Sequence, residues 1–558
     1  MHCRVPFRTS LTCLAVVGCA LLGTLCQNTE GAETSSSPSG LEARQILDDT
    51  GVQGGLIVHL GCGDGQLTAA LRADERYLVH GLDHDRSNVA RARAAIRAAG
   101  LYGPASADLL TSTQLPYGDN LVNLVVAEDL GPVARDEVMR VLAPGGTAYL
   151  RESGRWVKRI KPRPETIDEW SHFLHDASGN AVGKDEEVGP PRHMKWTTGP
   201  RYNISHEMNP SISACVTAGG RIFTILDEGV IGLPDQRFPS QWKLVARDAF
   251  NGMLLWKLPM PKWGWQQWNT VGLWSAPLTL SRRLVAEGDT VYVTLGYSAP
   301  LQALDAASGK TLRTYAGTEG ADEVILSDDV LVVCVRKQLM VASEPKAQPT
   351  PTTAKGKGKT QKQQKPKKLN PHEWPLDKPG AGMVMAFDPA TGKPLWRLTP
   401  ENIVLLSIAS EGGRLCYHNE EELKCFDLRT GKPLWQFPVK APSTGRNTGG
   451  TLAMRDGVVL FTGAEGVVAV AAETGKQLWS GPRAVGTGAT NPPDLLIAQG
   501  LVWFSQAVEA KSQTSITRSG RDLQTGEVKQ TVTVANLISP MHHYRCYRSK
   551  GTENFLML

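Results

Sequence analysis

The residues best placed to do chemistry stand near the start of the chain. The apolar run Leu56-Ile-Val-His-Leu60 reads as a strand, and Gly61-Cys-Gly-Asp-Gly65 follows it at once. Glycines directly after a strand let a ligand approach the backbone closely at the carboxyl end of a sheet. A second strand, Tyr77 to Leu82, ends at Asp83, 22 residues after Gly61. An acid at the end of the second strand is placed to bind ribose hydroxyls.

Other clusters invite weaker readings. Glu169, His172, His175 and Asp176 fall at helical spacing and could meet a metal, but a linker helix docking two domains is the favoured reading, and no metal site is assigned. Trp263, Trp265, Trp268 and Trp274 could stack on a planar ligand; packing beside a repeat is favoured. His542 and His543 point to opposite faces of a strand. Of ten cysteines, Cys62, Cys215, Cys334, Cys416, Cys425 and Cys546 lie beyond the first 40 residues, and none forms a C-x-x-C pair. Cys416 and Cys425 are expected opposite each other across a hairpin turning at Glu420-Glu421, within disulfide reach.

The elements that must position these residues fall into two kinds. From Leu41 to Glu152, strands alternate with helices: Arg86 to Ala99 is a helix, Leu121 to Ala127 a strand, Val133 to Leu142 a helix, and Thr147 to Leu150 a strand. That order predicts a parallel sheet covered on both faces. From about Met208 onward a motif recurs: a small residue, Asp two on, Thr/Ser/Asn-Gly, then Trp four after the Gly. Its glycines sit at 252, 309, 392, 431, 475 and 526. With the Lys/Pro/Gln-rich insert 345–380 set aside, the spacing is mostly 40 to 50 residues, the period of propeller blades. The insert is expected to be disordered. It carries eight lysines and no acid between Lys346 and Asn370, so the net charge of +5 becomes −3 without it. That excludes a broadly basic, nucleic-acid-binding body.

The first module resembles the class I S-adenosylmethionine-dependent methyltransferases. The residues that carry the likeness are His59-Leu-Gly-Cys-Gly-Asp-Gly65, Gly81-Leu-Asp-His-Asp85, Ala107-Asp-Leu109, Leu115-Pro-Tyr-Gly-Asp119 and Arg140-Val-Leu-Ala-Pro-Gly-Gly146. The resemblance implies that Gly61, Gly63 and Gly65 flank the methionine part of S-adenosyl-L-methionine, that Asp83 holds the ribose and that Asp108 lies near the adenine. It assigns no catalytic residue. The family usually has an acid where His59 stands, and often another at Asn123. It also continues past its fifth strand into a helix and an antiparallel pair. Ser153 to Pro164, basic and proline-broken, shows no sign of that pair.

The second module resembles the tryptophan-docking repeat of PQQ-type propellers, a group that includes quinoprotein dehydrogenases and the assembly propeller BamB. No Cys-Cys pair and no calcium constellation are present, so PQQ is not the expected cofactor. The whole chain is also similar to secreted propeller proteins of planctomycete-type bacteria, on Asp168-Glu-Trp-Ser-His-Phe-Leu-His-Asp176 and Leu244 to Gly252.

The expected organisation is multidomain: an export signal over 1–32, a Rossmann-like α/β domain over 41–152, a linker with a short helix over 153–207, and an all-β propeller over 208–558. That propeller should have six or more blades and stop partway through one. The signal rests on His2, Arg4 and Arg8 ahead of the apolar run Leu11 to Leu25, with Val16-Val-Gly-Cys19 resembling a lipobox. Periplasmic residence follows, with membrane contact only through a lipid or signal anchor. Three functions stay open. The first is a binding or assembly scaffold, recognising a protein or cell-envelope ligand, with a degenerate methyltransferase-like domain. The second is an active methyltransferase whose acceptor the propeller presents. The third is a PQQ-dependent dehydrogenase.

Overall fold

The computed structural model describes residues 37–187, 193–199, 212–230, 240–264, 279–336, 380–442, 450–484, 493–507, 515–535, 550–553 and 556–557. The signal segment, nearly all of the insert, Trp265, Trp268, Trp274, His542, His543 and Cys546 lie outside them.

The first domain opens with helix α1 (Pro38–Thr50), capped by Ser37 and closed by Gly51 in the left-handed region. Then come β1 (Gly55–Leu60), α2 (Gln66–Ala70), β2 (Tyr77–Asp83), α3 (Arg86–Ala98), β3 (Ala105–Leu109), β4 (Val122–Ala127), α4 (Arg135–Val141), β5 (Leu142–Glu152) and β6 (Arg155–Ile160). The sheet order is β3-β2-β1-β4-β5-β6, parallel except for β6. Both faces are buried, which is why β1 and β4 are almost unbroken apolar runs. Strand β6 corrects the expectation that the sheet ends at Glu152. Ser153 and Gly154, both at positive φ, make a two-residue turn that folds Arg155–Ile160 back onto β5.

The propeller follows as six antiparallel four-stranded meanders, one gaining a fifth strand at Glu401–Ile403, and a three-stranded sheet. Their innermost strands are Ile212–Ala218, Leu284–Glu287, Ala321–Ser327, Ile408–Glu411, Leu452–Arg455, Leu495–Ala498 and Lys550–Thr552. The seventh sheet pairs Lys550–Thr552 with Leu556–Met557 and, in parallel, with Val182–Gly183.

The repeated motif has one job in each blade. The Asp carboxylate receives turn N–H groups, as at Asp427 with Thr430 and at Asp522 with Thr525. The Trp reaches the next blade: Trp256 donates its indole N–H to Ala306, Trp396 to Leu428, Trp435 to Ala472 and Trp479 to Leu523, at 2.8–2.9 Å. In each case the acceptor lies three residues before the next motif glycine. That glycine sits under the ring: a Cβ on Gly475 would stand 2.6 Å from the Trp435 indole. Trp196 does the same for the first blade, on Ala249 at 3.0 Å, and had no repeat to announce it.

Trp263 is buried in the core between the first two blades, as packing predicts. Cys416 and Cys425 are paired across their hairpin. Asn419 donates to Glu422 across the turn, so the alternation makes Cys416/Cys425 a non-hydrogen-bonded pair. Both thiols are free and fully buried; the disulfide allowed by the spacing is not formed.

Gly475→Ala should cost clearly more than Gly457→Ala. Both glycines have positive φ, but a Cβ at 457 meets nothing within 4 Å. The strained turn alone is worth about 1 kcal/mol. The displaced Trp435 contact should add on the order of 2 kcal/mol. Urea midpoints of the two variants measure the difference.

Candidate functional site

The loop from Gly61 to Gly65 caps the carboxyl end of β1, where a doubly covered parallel sheet is open to ligand. Its three glycines do different things. Gly65 is structural: a Cβ there would lie 2.4 Å from the Ala92 Cα of α3. Gly61 and Gly63 have positive φ and open space, the nearest atom to an added Cβ lying at 3.9 Å, so they leave the backbone approachable. Below them His59 is buried and shares a 2.8 Å hydrogen bond with Thr68. Burial outweighs the Asp83 and Asp64 charges and lowers its pKa to about 4, so it stays neutral.

Asp83 closes on this loop. Its Oδ2 accepts from Gly63 N at 3.1 Å and from Asn88 Nδ2 at 3.1 Å, and Oδ1 accepts from Asp85 N at 2.8 Å. Three donors thus occupy three of its about four acceptor sites. Asp108 goes elsewhere. It is exposed and held by Arg93 and by His80 at 3.1 Å. It stands level with Leu82, one residue short of Asp83, so the pleat turns the two acids to opposite faces. For S-adenosylmethionine, Gly61 and Gly63 leave room at the loop and Asp83 keeps one acceptor site facing it, whereas the Asp108 carboxylate is taken by Arg93 and His80 on the opposite face.

The propeller grips the other end of the sheet. Asn123, at the amino end of β4, accepts from Leu56 N at 2.8 Å and from Asn251 Nδ2 at 2.8 Å, and donates to Asp248 Oδ2 at 2.7 Å. Gly55 makes the room, since a Cβ there would lie 2.1 Å from Asn123 Oδ1. Asn251 also donates to Leu121 O at 2.8 Å. A cavity of about 250 Å³, lined in part by Asn123, Asp248, Gly145, Arg221 and Ile160, lies in this seam. The glycine loop is five residues further along β1, roughly 17 Å away at 3.3 Å per residue. The ligand edge therefore points away from the blades.

The segment expected to be a metal-capable or linker helix is no helix. Residues 168–183 wind around the propeller axis, meeting one blade after another at the same level. Seven N–H groups, each the second-last residue of an innermost strand, are met there. Thr217 donates to Trp170 O, Ala286 to Ser171 O, Ser410 to Ala177 O, Met454 to Ser178 O and Gly551 to Ala181 O, at 2.8–3.0 Å. Leu326 donates to His172 Nε2 at 3.0 Å and Ile497 to Asn180 Oδ1 at 2.9 Å. A helix would have spent those carbonyls on itself. His172 must be neutral to accept, and burial lowers its pKa to about 4. His175, at φ 70°, is clamped between Asp168 Oδ2 at 2.6 Å and Asp176 Oδ2 at 3.2 Å, the second an ion-pair contact off a hydrogen-bond line. Burial opposes its charge, but the two carboxylates win and raise it to about 9. Among the described residues no three His, Cys, Asp or Glu side chains group to hold a metal, and no helix is long and apolar enough to cross a membrane.

With this geometry in hand, two family models match. Residues 57–146 fit the methyltransferase domain, and residues 380–537 fit the outer membrane protein assembly factor BamB. The chain joins a methyltransferase-type domain to a BamB-like propeller. No curated protein matches it. Among solved structures it is similar to a Methanococcus maripaludis protein described as an S-adenosyl-L-methionine-dependent methyltransferase, at 23% identity and TM-score 0.19, covering 22% of this chain and 57% of that one. The cyclase SpnF gives 26% and 0.19, over 21% and 47%. A europium-containing methanol dehydrogenase gives 11% and 0.42, over 69% and 80%. The chain thus spans about half the length of the α/β relatives.

Two measurements follow. Asn123→Asp sets a second carboxylate against Asp248, whose own pKa burial already raises. It should cost about 3 kcal/mol and split the calorimetric transition, with the α/β domain melting apart from the blades. For His175 the raised pKa makes its contribution complete below about pH 6.5 and lost as pH climbs through about 9. Asp168 and Asp176, both depressed by His175, hold their share above the ordinary carboxylate range and lose it in acid. Unfolding free energy should fall by about 3 kcal/mol between pH 6.5 and 9.5 in the native chain and stay flatter in His175→Gln.

Proposed function

We propose that this protein is an exported binding scaffold whose α/β domain is a nucleoside-binding module, not a catalyst acting on an acceptor held by its own propeller. The single observation behind this reading is the mounting. The blades hold the amino end of the sheet through Asn123, while the Gly61–Asp83 mouth opens at the other end. An acceptor on the propeller would lie on the wrong side of the sheet.

S-adenosylmethionine, when bound, would supply an electrophilic methyl group. Gly61 and Gly63 would pass its methionine part close to the backbone, and the remaining acceptor site of Asp83 would take one ribose hydroxyl. His59, neutral and bonded to Thr68, supports the loop from below and offers no negative charge. The propeller's match to an outer-membrane assembly factor and the apolar run near the N-terminus support an extracytoplasmic setting.

Calorimetry on the full chain tests the module. Asp83→Ala should weaken S-adenosylmethionine binding by about 1.5–3 kcal/mol, the scale of a hydrogen bond to a charged group. Unchanged affinity would remove Asp83 from the site. Incubation with methyl-labelled S-adenosylmethionine and cell-envelope protein should leave the envelope protein unlabelled; transfer would establish the enzyme instead.

A further inference from the structure

Strand β6 is the open edge of the α/β sheet. Lys161 N donates to Gly146 O and Gly145 N to Lys161 O, which fixes the alternation along β6. Residues 155, 157 and 159 therefore bond inward to β5. The backbone N–H and C=O groups of Trp156, Lys158 and Ile160 point outward, and among the described residues no strand pairs with them. Their side chains are anchored beneath: Trp156 stacks on Tyr149 at 4.9 Å, and Lys158 donates to Thr50 O at 2.7 Å. Ile160 is 55% exposed beside the seam with the propeller. The edge is thus pinned and, among the described residues, unpaired.

It is also strongly basic. Arg135, Arg151, Arg155, Lys158, Arg159, Lys161 and Arg163 outnumber the three acids that pair among them: Glu152 with Arg135 and Arg159, Glu128 with Arg151, and Glu169 with Arg163. Charge on an edge deters self-pairing: two copies meeting here would set arginine and lysine against their own kind. An acidic strand meets the opposite condition, since its carboxylates neutralise the guard while its backbone fills the ladder.

Resting on the scaffold reading, we infer that the free edge of β6 is a docking site for an extended acidic segment of a partner protein, added as a further antiparallel or parallel strand. Such a strand would run from the Ser153-Gly154 turn, on the side of the glycine loop, down to the seam with the first blade. The scaffold would then hold its partner by backbone pairing along the α/β domain, with charge choosing the partner.

Fluorescence anisotropy on the full chain tests this, with a labelled decapeptide of alternating glutamate and valine as probe. Saturable binding is expected, and amide exchange should slow at Trp156, Lys158 and Ile160. Binding should weaken about tenfold or more for the same peptide with alternate amides N-methylated, for its lysine counterpart, and in the Arg155→Glu/Arg159→Glu variant. Equal binding of the N-methylated peptide to the native chain would reduce the contact to charge alone and overturn the proposal. So would absence of saturable binding at low salt, or protection confined to other strands. Methyl transfer from S-adenosylmethionine to the bound peptide would sink the scaffold reading but leave the docking edge standing.

Discussion

Seven backbone N–H groups converge on the propeller axis, and most of the architecture follows from how they are met. Each innermost strand pairs with its own blade on one side only, so its other edge faces the axis. An N–H left bare there costs about 1–3 kcal/mol. Residues 170–181 remove that cost seven times over, with five carbonyls and two side-chain atoms. The chain that links the two domains is therefore the centre of the second. His172 and Asn180 serve where the segment's own carbonyls do not reach, and Asn180 both accepts from Ile497 N and donates to Ile497 O, as a strand would. Ion pairing of His175 with Asp168 and Asp176 then fixes the bend between the two runs of contacts.

What could be read from the sequence was local. The Asp–Gly–Trp motif is legible because each residue does its work within one turn or one blade boundary, and repetition multiplies the signal. The glycine loop and Asp83 are legible for the same reason: strand, turn and acid lie within the 28 residues from Leu56 to Asp83. The axial segment was not. Its partners are 47 residues away at Thr217 and 370 away at Gly551, and histidines three apart imitate a helix face. Strand β6 hid behind its charge, although Ser153-Gly154 was a turn signal ahead of Trp156-Val157. Asp108 matched a motif, yet Arg93 on the neighbouring helix and His80 on the neighbouring strand claim its carboxylate.

The two departures from the methyltransferase pattern have separate physical meanings. At His59 a neutral imidazole replaces a charge beneath the glycine loop. It costs little because Thr68 satisfies one ring nitrogen and burial keeps the proton off. It also withdraws a negative charge from the side of the loop where a cationic sulfonium ligand would lie, which weakens the field such a ligand would feel.

At Asn123 the change is constructive. An amide offers an acceptor and two donors, whereas a carboxylate only accepts. Asn123 uses both halves, taking Leu56 N and Asn251 Nδ2 on its oxygen and giving Nδ2–H to Asp248. Asp248 belongs to the repeated turn of the first blade, where its other oxygen already receives Phe250 N and Asn251 N. A carboxylate at 123 would face another across 2.7 Å, so the usual acid of that position is incompatible with this docking. The amide thus commits the amino end of the sheet to the propeller. Because β1 is one rigid strand from Leu56 to Leu60, that commitment also fixes the direction in which the ligand edge opens.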